Sequence, residues 1–283
     1  MKILLIDTCG ATGSLALADS ARPLAGATLP GRSAAERLVP AIHSLAVQAG
    51  IALQSLDAVA VVHGPGSFTG VRVGLSAAKG LCHALNLPLA AISRLAVLAS
   101  LAQKGVPHSS QRAPHPSRSH RDPGSPTASL VGWGPGSPTA SLAGWGGWET
   151  QINALLDAGR GEFYSGLYAN GLCLREALLT RDQLLAEQCR EEAQLVVCEP
   201  AVAESLGAPS KLGLGGNATP QFVAEPSAAS ALPLALARIR QRAFDDPATI
   251  DANYLRRTDA EIFAKPVAAA PQPPATHSGT PSR

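Results

Sequence analysis

The sequence lacks a membrane-length apolar run. No window approaches eighteen apolar residues without a break, although 46% of the 283 residues are hydrophobic. No membrane-spanning helix is therefore expected. It also lacks a charge of one dominant sign. Charged residues make up 16% and the formal net charge is +2, so no global basic field argues for nucleic-acid binding by the whole chain. Cysteine is sparse and irregularly spaced, at Cys9, Cys82, Cys173, Cys189 and Cys198, with no C-x-x-C pair. Small buried residues in a reducing compartment explain that pattern better than a disulfide framework or a zinc site. No H-x-x-x-H or H-E-x-x-H pair offers a metal site, and no G-x-S-x-G turn offers a nucleophile. The start, MKILLIDTCG, is too short an apolar run for a signal peptide and meets Asp7 early. The expected location is the cytoplasm.

What is present reads as alternating strands and helices. KILLIDT, SLALAD and RPLAGATLP are short apolar runs joined by tight turns, the signature of an antiparallel meander. From Ala34 to Ala49 the period changes, and Leu38, Ile42, Leu45 and Ala49 fall on one helical face. DAVAVVHG is a buried strand, VRVGLSAAKGLCHALN a helix, LPLAAIS a strand and RLAVLASLA a helix. Three strands, helix, strand, helix, strand, helix imply a mixed sheet with helices on its faces.

Residues 103–149 break the pattern. They are rich in Pro, Ser, His and Arg, and GSPTASLVGWGP (Gly124–Pro135) recurs imperfectly as GSPTASLAGWGG (Gly136–Gly147). Two copies are too few for a solenoid, and the composition favours a disordered insertion in which His108, His115 and His120 belong to a solvated linker. Strand signals resume at INALLDAGRGEFYSGLYANGLCLREALLT, then come helix, strand, helix and a Pro-rich tail. The second half thus repeats the first. The expected organisation is an N-terminal lobe over 1–102, the insertion over 103–149, a smaller C-terminal lobe over 150–265 and a disordered tail over 266–283.

The chemistry-bearing candidate is HGPGSFTGVRVG, His63 to Gly74. It is not a Walker A loop, because Val71 stands where the lysine should follow Gly70. It is not a Rossmann fingerprint either, because Thr69 holds the third glycine position. Two readings remain. Amides at the helix start bind an anion, or Ser67 and Thr69 cap the helix themselves. The helix behind the loop carries a large apolar stripe (Val71, Leu75, Ala78, Cys82, Leu85), a small one (Val73, Ala77, Gly80, Ala84) and a polar one (Arg72, Ser76, Lys79, His83). The small stripe permits close approach by the Ala34–Ala49 helix or by a helix of another protein. The loop is read chiefly as the turn that launches Val71–Asn86 toward a partner, with anion contact as a secondary role. Asp157, Arg160 and Glu162 share a second-half turn.

IDTCGATGSLAL resembles the first phosphate hairpin of actin-like and sugar-kinase ATPases, which would put Asp7 by a metal or a water and Thr8, Thr12 and Ser14 by phosphate. Together with AERLVPAI, HGPGSFTGVRVGLSAAKGL, LDAGRGEFY and YLRRTDAEIFAKP, in that order, it makes the chain similar to the TsaB family. These are dimerisation subunits of the bacterial tRNA threonylcarbamoyladenosine complex. The resemblance covers about Met1–Ser100 and, more loosely, Thr150–Lys265. It implies an α/β, actin-like (ASKHA, ribonuclease H-like) two-lobed fold with mixed sheets flanked by helices. It implies a non-catalytic scaffold for modifying the adenosine 3′ to the anticodon, with no catalytic or metal-binding residues of its own. The partners implied are a TsaD-like catalytic paralogue, a TsaE-like ATPase and tRNA held through the complex, with a homodimer when alone and no membrane. The partner subunits, not this chain, would bind ATP or ADP and metal. The expected interface is Leu38, Ile42, Arg72, Val73, Ser76, Ala77, Lys79, Gly80 and Ala84. The candidates for phosphate or nucleotide contact are Asp7, Thr8, Gly64, Gly66, Ser67, Thr69 and Gly70. The chain departs from the family pattern at Ala34 and Ala35, where relatives have His-Ser, and at Gly159, where they often have Arg. A stand-alone actin-like ATPase or kinase is the alternative, with a peptidase behind it.

Overall fold

The computed structural model describes residues 1–30, 34–103, 151–191, 193–206 and 219–256. The tandem repeat and the Pro-rich tail lie outside these residues. Strands β1 (Ile3–Asp7), β2 (Thr12–Ala18) and β3 (Pro23–Pro30) form the expected meander, followed by α1 (Ala34–Ala49), β4 (Ala58–Val62), α2 (Phe68–Leu85), β5 (Leu89–Ile92) and α3 (Arg94–Gln103). The second half runs β6 (Ile152–Gly159), β7 (Glu162–Ala169), β8 (Leu172–Thr180), α4 (Arg181–Glu191), β9 (Gln194–Val197), α5 (Pro200–Leu206), β10 (Gln221–Phe222) and α6 (Leu232–Arg240).

The sheets have orders β3-β2-β1-β4-β5 and β8-β7-β6-β9-β10, one topology used twice. In each, the first three strands are antiparallel and the last two join in parallel. This duplicated, mixed α/β arrangement is the actin-like, two-lobed fold.

Period-two alternation sorts the core. Leu4, Ile6, Leu15, Leu17, Val59 and Val61 point to one face of the first sheet, against Leu38, Ile42 and Leu45 of α1 and Leu75, Ala78 and Cys82 of α2. Ile3, Leu5, Ala16, Ala60, Val62 and Ile92 point to the other face, into a core shared with both halves. On the second sheet Ile152, Ala154, Leu156 and Val196 enter that shared core. Leu155, Leu195 and Val197 turn outward to Leu184 of α4 and Val202 and Leu206 of α5.

The two halves share a core and exchange helices across it. Helix α3 leaves the first sheet and packs on β6, β7 and β9 of the second, while α6 leaves the second and packs on β5 of the first. Local sequence predicts the helices but not which sheet receives them. A buried ion pair fixes the return of α6. Arg238 Nη2 donates to Asp245 Oδ2 at 2.9 Å, and the same oxygen accepts the Ala91 amide of β5 at 2.7 Å. Both side chains are about nine-tenths buried. Removing one member of such a pair strands the other charge. Asp245→Ala is expected to cost about 3–5 kcal/mol of stability, read as a lower urea midpoint of the full chain with an unchanged slope.

Candidate functional site

The glycine-rich loop joins β4 to α2 and lies on the turn between β1 and β2. Ser67 caps α2: its Oγ accepts the Gly70 amide at 3.2 Å. The helix therefore starts at Phe68, three residues earlier than the Val71 start the sequence suggests, because Ser67 claims the cap. Ser67 N–H donates to Cys9 O at 2.8 Å, and Thr8 Oγ1 donates to Gly70 O at 2.6 Å. A Cβ at Gly70 would stand 2.0 Å from Thr8 O, one at Gly66 2.4 Å from Cys9 O, and one at Gly74 2.2 Å from Thr8 Oγ1. These glycines exist for contact between helix and hairpin. Gly64 (φ 113°) precedes Pro65 through a cis bond, and its carbonyl accepts the Arg94 amide at 2.7 Å.

The hairpin turn is covered from the other side. The Arg94 guanidinium and the Glu225 carboxylate pair at 3.1 Å. A Cβ at Gly10 would meet Arg94 Nη2 at 2.6 Å and Glu225 Oε1 at 2.8 Å. Asp7 is buried at the end of β1, with Oδ1 accepting the Cys9 amide at 2.9 Å. Burial pushes its carboxyl above the usual range, against the pull of Arg94 and the Cys9 amide. Of the three hydroxyls expected near phosphate, two are engaged inside the protein: Thr8 with Gly70, and Ser14, which accepts the Ala228 amide at 2.9 Å. Thr12 is exposed, as is Thr69 of the loop.

A strap formed by the chain around Asp251–Arg256 closes the loop from behind. Asn253 N–H donates to His63 O at 2.8 Å. His63 Nδ1 lies 3.2 Å from the Asp251 carbonyl, an acceptor only, so Nδ1 carries the proton. Burial pushes the His63 pKa down, opposed by that bond and by the charge of Glu176. Glu176 of β8 gathers donors from both halves: Ser93 Oγ at 2.5 Å, Asn253 Nδ2 at 2.6 Å and Tyr168 Oη. It ties the strap, the end of β5 and the second sheet into one unit.

Outward from the loop, α1 and α2 lie side by side on the first sheet. Here the expected interface divides. Arg72, Ser76, Gly80 and Ala84 are exposed; Val73, Ala77 and Lys79 are half-buried. Leu38 and Ile42 are 1% and 2% exposed and belong to the lobe's own core. They are corrected from interface to core residues, because a helix on a sheet turns its apolar stripe inward. The outer face of α1 is Val39, His43 and Val47, at i, i+4 and i+8, with the two valines 65% and 69% exposed. Two further exposed residues, Phe68 and Tyr254, give no signal of this role in the local sequence. Phe68 stands inside the loop motif, and Tyr254 reaches α2 from 182 positions away, donating nothing local to read. Among the described residues no three His, Cys, Asp or Glu side chains converge closely enough for a metal ion. All five cysteines are free, with Cys9 and Cys82 buried and Cys189 exposed.

A family model described as TsaD, tRNA N6-adenosine threonylcarbamoyltransferase, matches residues 28–113. The chain is 40% identical over 101 residues to the tRNA threonylcarbamoyladenosine biosynthesis protein TsaB of Bacillus subtilis, a match covering 35% of this chain and 44% of that protein. It is 36% identical over 99 residues to the TsaB of Escherichia coli, covering 35% and 43%. These matches thus span less than half of the curated relatives' length. In fold, the chain is similar to a Pseudomonas aeruginosa structure described as an uncharacterized protein with similarity to peptidase YEAZ. The TM-score is 0.63 at 24% identity, over 90% of this chain and 99% of that one.

Two predictions follow from the loop and its surroundings. Gly70→Ala, driven into Thr8 O, is expected to lose about 1–3 kcal/mol or more by overpacking. Gly80→Ala, in open space on the same helix, is expected to gain about 0.5–1 kcal/mol; urea unfolding of the two variants reads both. The second concerns pH. A histidine whose folded pKa lies below its unfolded value of about 6.5 gives its full contribution above that pH. The unfolded chain protonates first on acidification, so stability falls as pH drops below that value toward the depressed folded pKa. Asp7, raised on folding, acts oppositely: stability rises as pH falls through its folded pKa toward 3.8. His63→Gln should flatten the first slope and Asp7→Asn the second, measured by chemical denaturation across the pH series.

Proposed function

We propose that the chain is the non-catalytic, partner-binding subunit of a complex that places threonylcarbamoyl on N6 of the adenosine 3′ to the tRNA anticodon. A TsaD-like catalytic paralogue docks on the outer face of α1 and α2 and supplies the transferase chemistry. A TsaE-like ATPase joins that pair, and tRNA is held by the assembly. The chain works in the cytoplasm. It has no cofactor of its own, ATP or ADP and the metal being bound by partner subunits, and free in solution it pairs with itself through the same face.

One observation carries this reading. The end of the fold where an actin-like ATPase would hold phosphate is filled by the chain's own groups, with the Arg94–Glu225 pair over Gly10 and the Thr8 hydroxyl spent on Gly70. The outward side of α1 and α2 keeps exposed valines, Phe68, Gly80 and Ala84 instead. Glycine and alanine let a partner helix approach closely, and exposed apolar side chains gain by being covered. The names of the curated relatives supply the pathway.

The test is co-purification of the full chain with the TsaD-like subunit, followed by assay of the modified nucleoside. Ala84→Arg sits on the surface and should leave thermal stability unchanged. It is expected to abolish the complex and the modification together. An intact complex with this variant would sink the docking face. Calorimetry of the isolated chain with ATP and magnesium should give no binding heat, and tight binding with turnover would favour a stand-alone ATPase instead.

A further inference from the structure

The exposed end of α2 holds a guanidinium in a fixed pose. The Arg72 carbon Cζ lies 3.6 Å from the centroid of the Phe68 ring and 5.5 Å from that of Tyr254. The two rings are 5.7 Å apart at 37°. Arg72 Nε donates to Tyr254 Oη at 2.6 Å. The three side chains are nonetheless open to solvent, Phe68 being 47% and Tyr254 36% exposed. Among the described residues no carboxylate pairs with Arg72. The bond to Tyr254 uses Nε, so the two Nη groups form the edge that remains. That edge is the fork that takes a carboxylate in two parallel hydrogen bonds.

A free arginine on a surface gives up rotamer freedom when it binds. Here the two rings and the tyrosine hydroxyl restrict it in advance. Charge supports the same conclusion. Helix α2 contains Arg72, Lys79 and His83 and no acidic residue at all. We propose that the Phe68–Arg72–Tyr254 stack is the anchor of the docking face, and that it receives a carboxylate on a helix of the partner protein. The proposal rests on the docking face argued above and adds the chemistry of what binds it.

A protein carboxylate fits this surface better than an RNA phosphate. Phe68 and Arg72 of the anchor share their helix with the exposed Gly80 and Ala84, and the neighbouring α1 exposes Val39 and Val47, apolar surface that suits a protein partner. The chain's net charge of +2 gives no global basic field to favour a nucleic-acid backbone. Tyr254 also makes the anchor composite. It belongs to the strap that holds His63 through Asn253 and continues into Arg256, which pairs with Glu162 of β7. The partner would therefore read residues from both ends of the sequence at one point.

The experiment measures affinity of the full-length chain for the TsaD-like subunit. Arg72→Gln removes the charge and fork and is expected to weaken binding by about 30-fold or more, the range of an interface anchor. Arg72→Lys keeps the charge but not the fork, and should recover little of the loss. Tyr254→Phe keeps the ring and frees the guanidinium, and should fall between Arg72→Gln and the unaltered protein. Affinity of the unaltered chain should drop as salt rises, and that of Arg72→Gln should drop less. Wild-type affinity in Arg72→Gln, while Ala84→Arg still prevents the complex, overturns the anchor and leaves the docking face standing. Loss of binding with Ala84→Arg and Arg72→Gln alike supports both. No effect of either variant overturns the face and the anchor together. If Arg72→Gln instead weakens binding of tRNA by the isolated chain and spares the partner, Arg72 serves a phosphate and the proposal is wrong.

Discussion

The structure depends on how closely α2 can sit on the β1–β2 turn. Thr8 is the point of contact. Its hydroxyl donates to the Gly70 carbonyl, its own carbonyl lies where a Gly70 side chain would begin, and Gly74 passes over its Oγ1. Nothing larger than hydrogen fits at those positions. Gly70 and Gly74, four apart on α2, and Gly66 just before its cap each meet the Thr8–Cys9 backbone or side chain. The glycines of the motif thus serve the packing of helix on hairpin. The motif's Ser67 amide goes to the neighbouring hairpin and its Ser67 hydroxyl to the Gly70 amide, and the close packing sets the orientation of a helix.

From that contact the two faces of α2 acquire separate tasks. The inner face, with Leu75, Ala78 and Cys82, meets the sheet. The outer face is offered to solvent by a helix whose tilt cannot relax. Burial of a large apolar set holds the lobe together, but it does not by itself fix where Arg72 or Ala84 points. The glycine contacts do that, because a rise in helix-to-turn distance would break the Thr8–Gly70 bond. The exchanged helices add a second constraint. Helix α3 under the second sheet and α6 under the first make the shared core continuous. Opening the cleft between the halves would expose this core and would part Glu176 from Ser93.

Much of this was legible in the sequence, for physical reasons that differ by element. Helix α1 was read with its observed bounds because an apolar stripe at helical spacing lies between two turns. The strands followed from short apolar runs. The position of α6 is not legible, since an amphipathic helix fits either sheet and the choice is made by Asp245, which holds Arg238 and the distant Ala91 amide of β5 together. Leu38 and Ile42 read as partner contacts in the sequence because one apolar stripe cannot announce whether it faces its own sheet or another molecule. The exposed stripe on α1, Val39, His43 and Val47, is the one that survives folding as surface. Phe68 was hidden in a motif read for its glycines. Tyr254 was hidden by distance along the chain, which no local pattern spans.

The strap makes the last connection. It holds the His63 carbonyl through the Asn253 amide, holds Glu176 through the Asn253 side chain and reaches Arg72 through the next residue. Three consecutive demands are met within two residues: the loop that sets α2, the carboxylate that joins the halves, and the guanidinium on the outer face. A shift of the second sheet relative to the first would pull on Asn253 and, through it, on Tyr254. The outer end of α2 therefore carries information about the closed arrangement of the two halves. The Arg94–Glu225 pair lies over the hairpin turn between the halves. Contacts such as Glu176 with Ser93 and Asn253 set that arrangement, and the face that α2 turns to solvent is a fixed one.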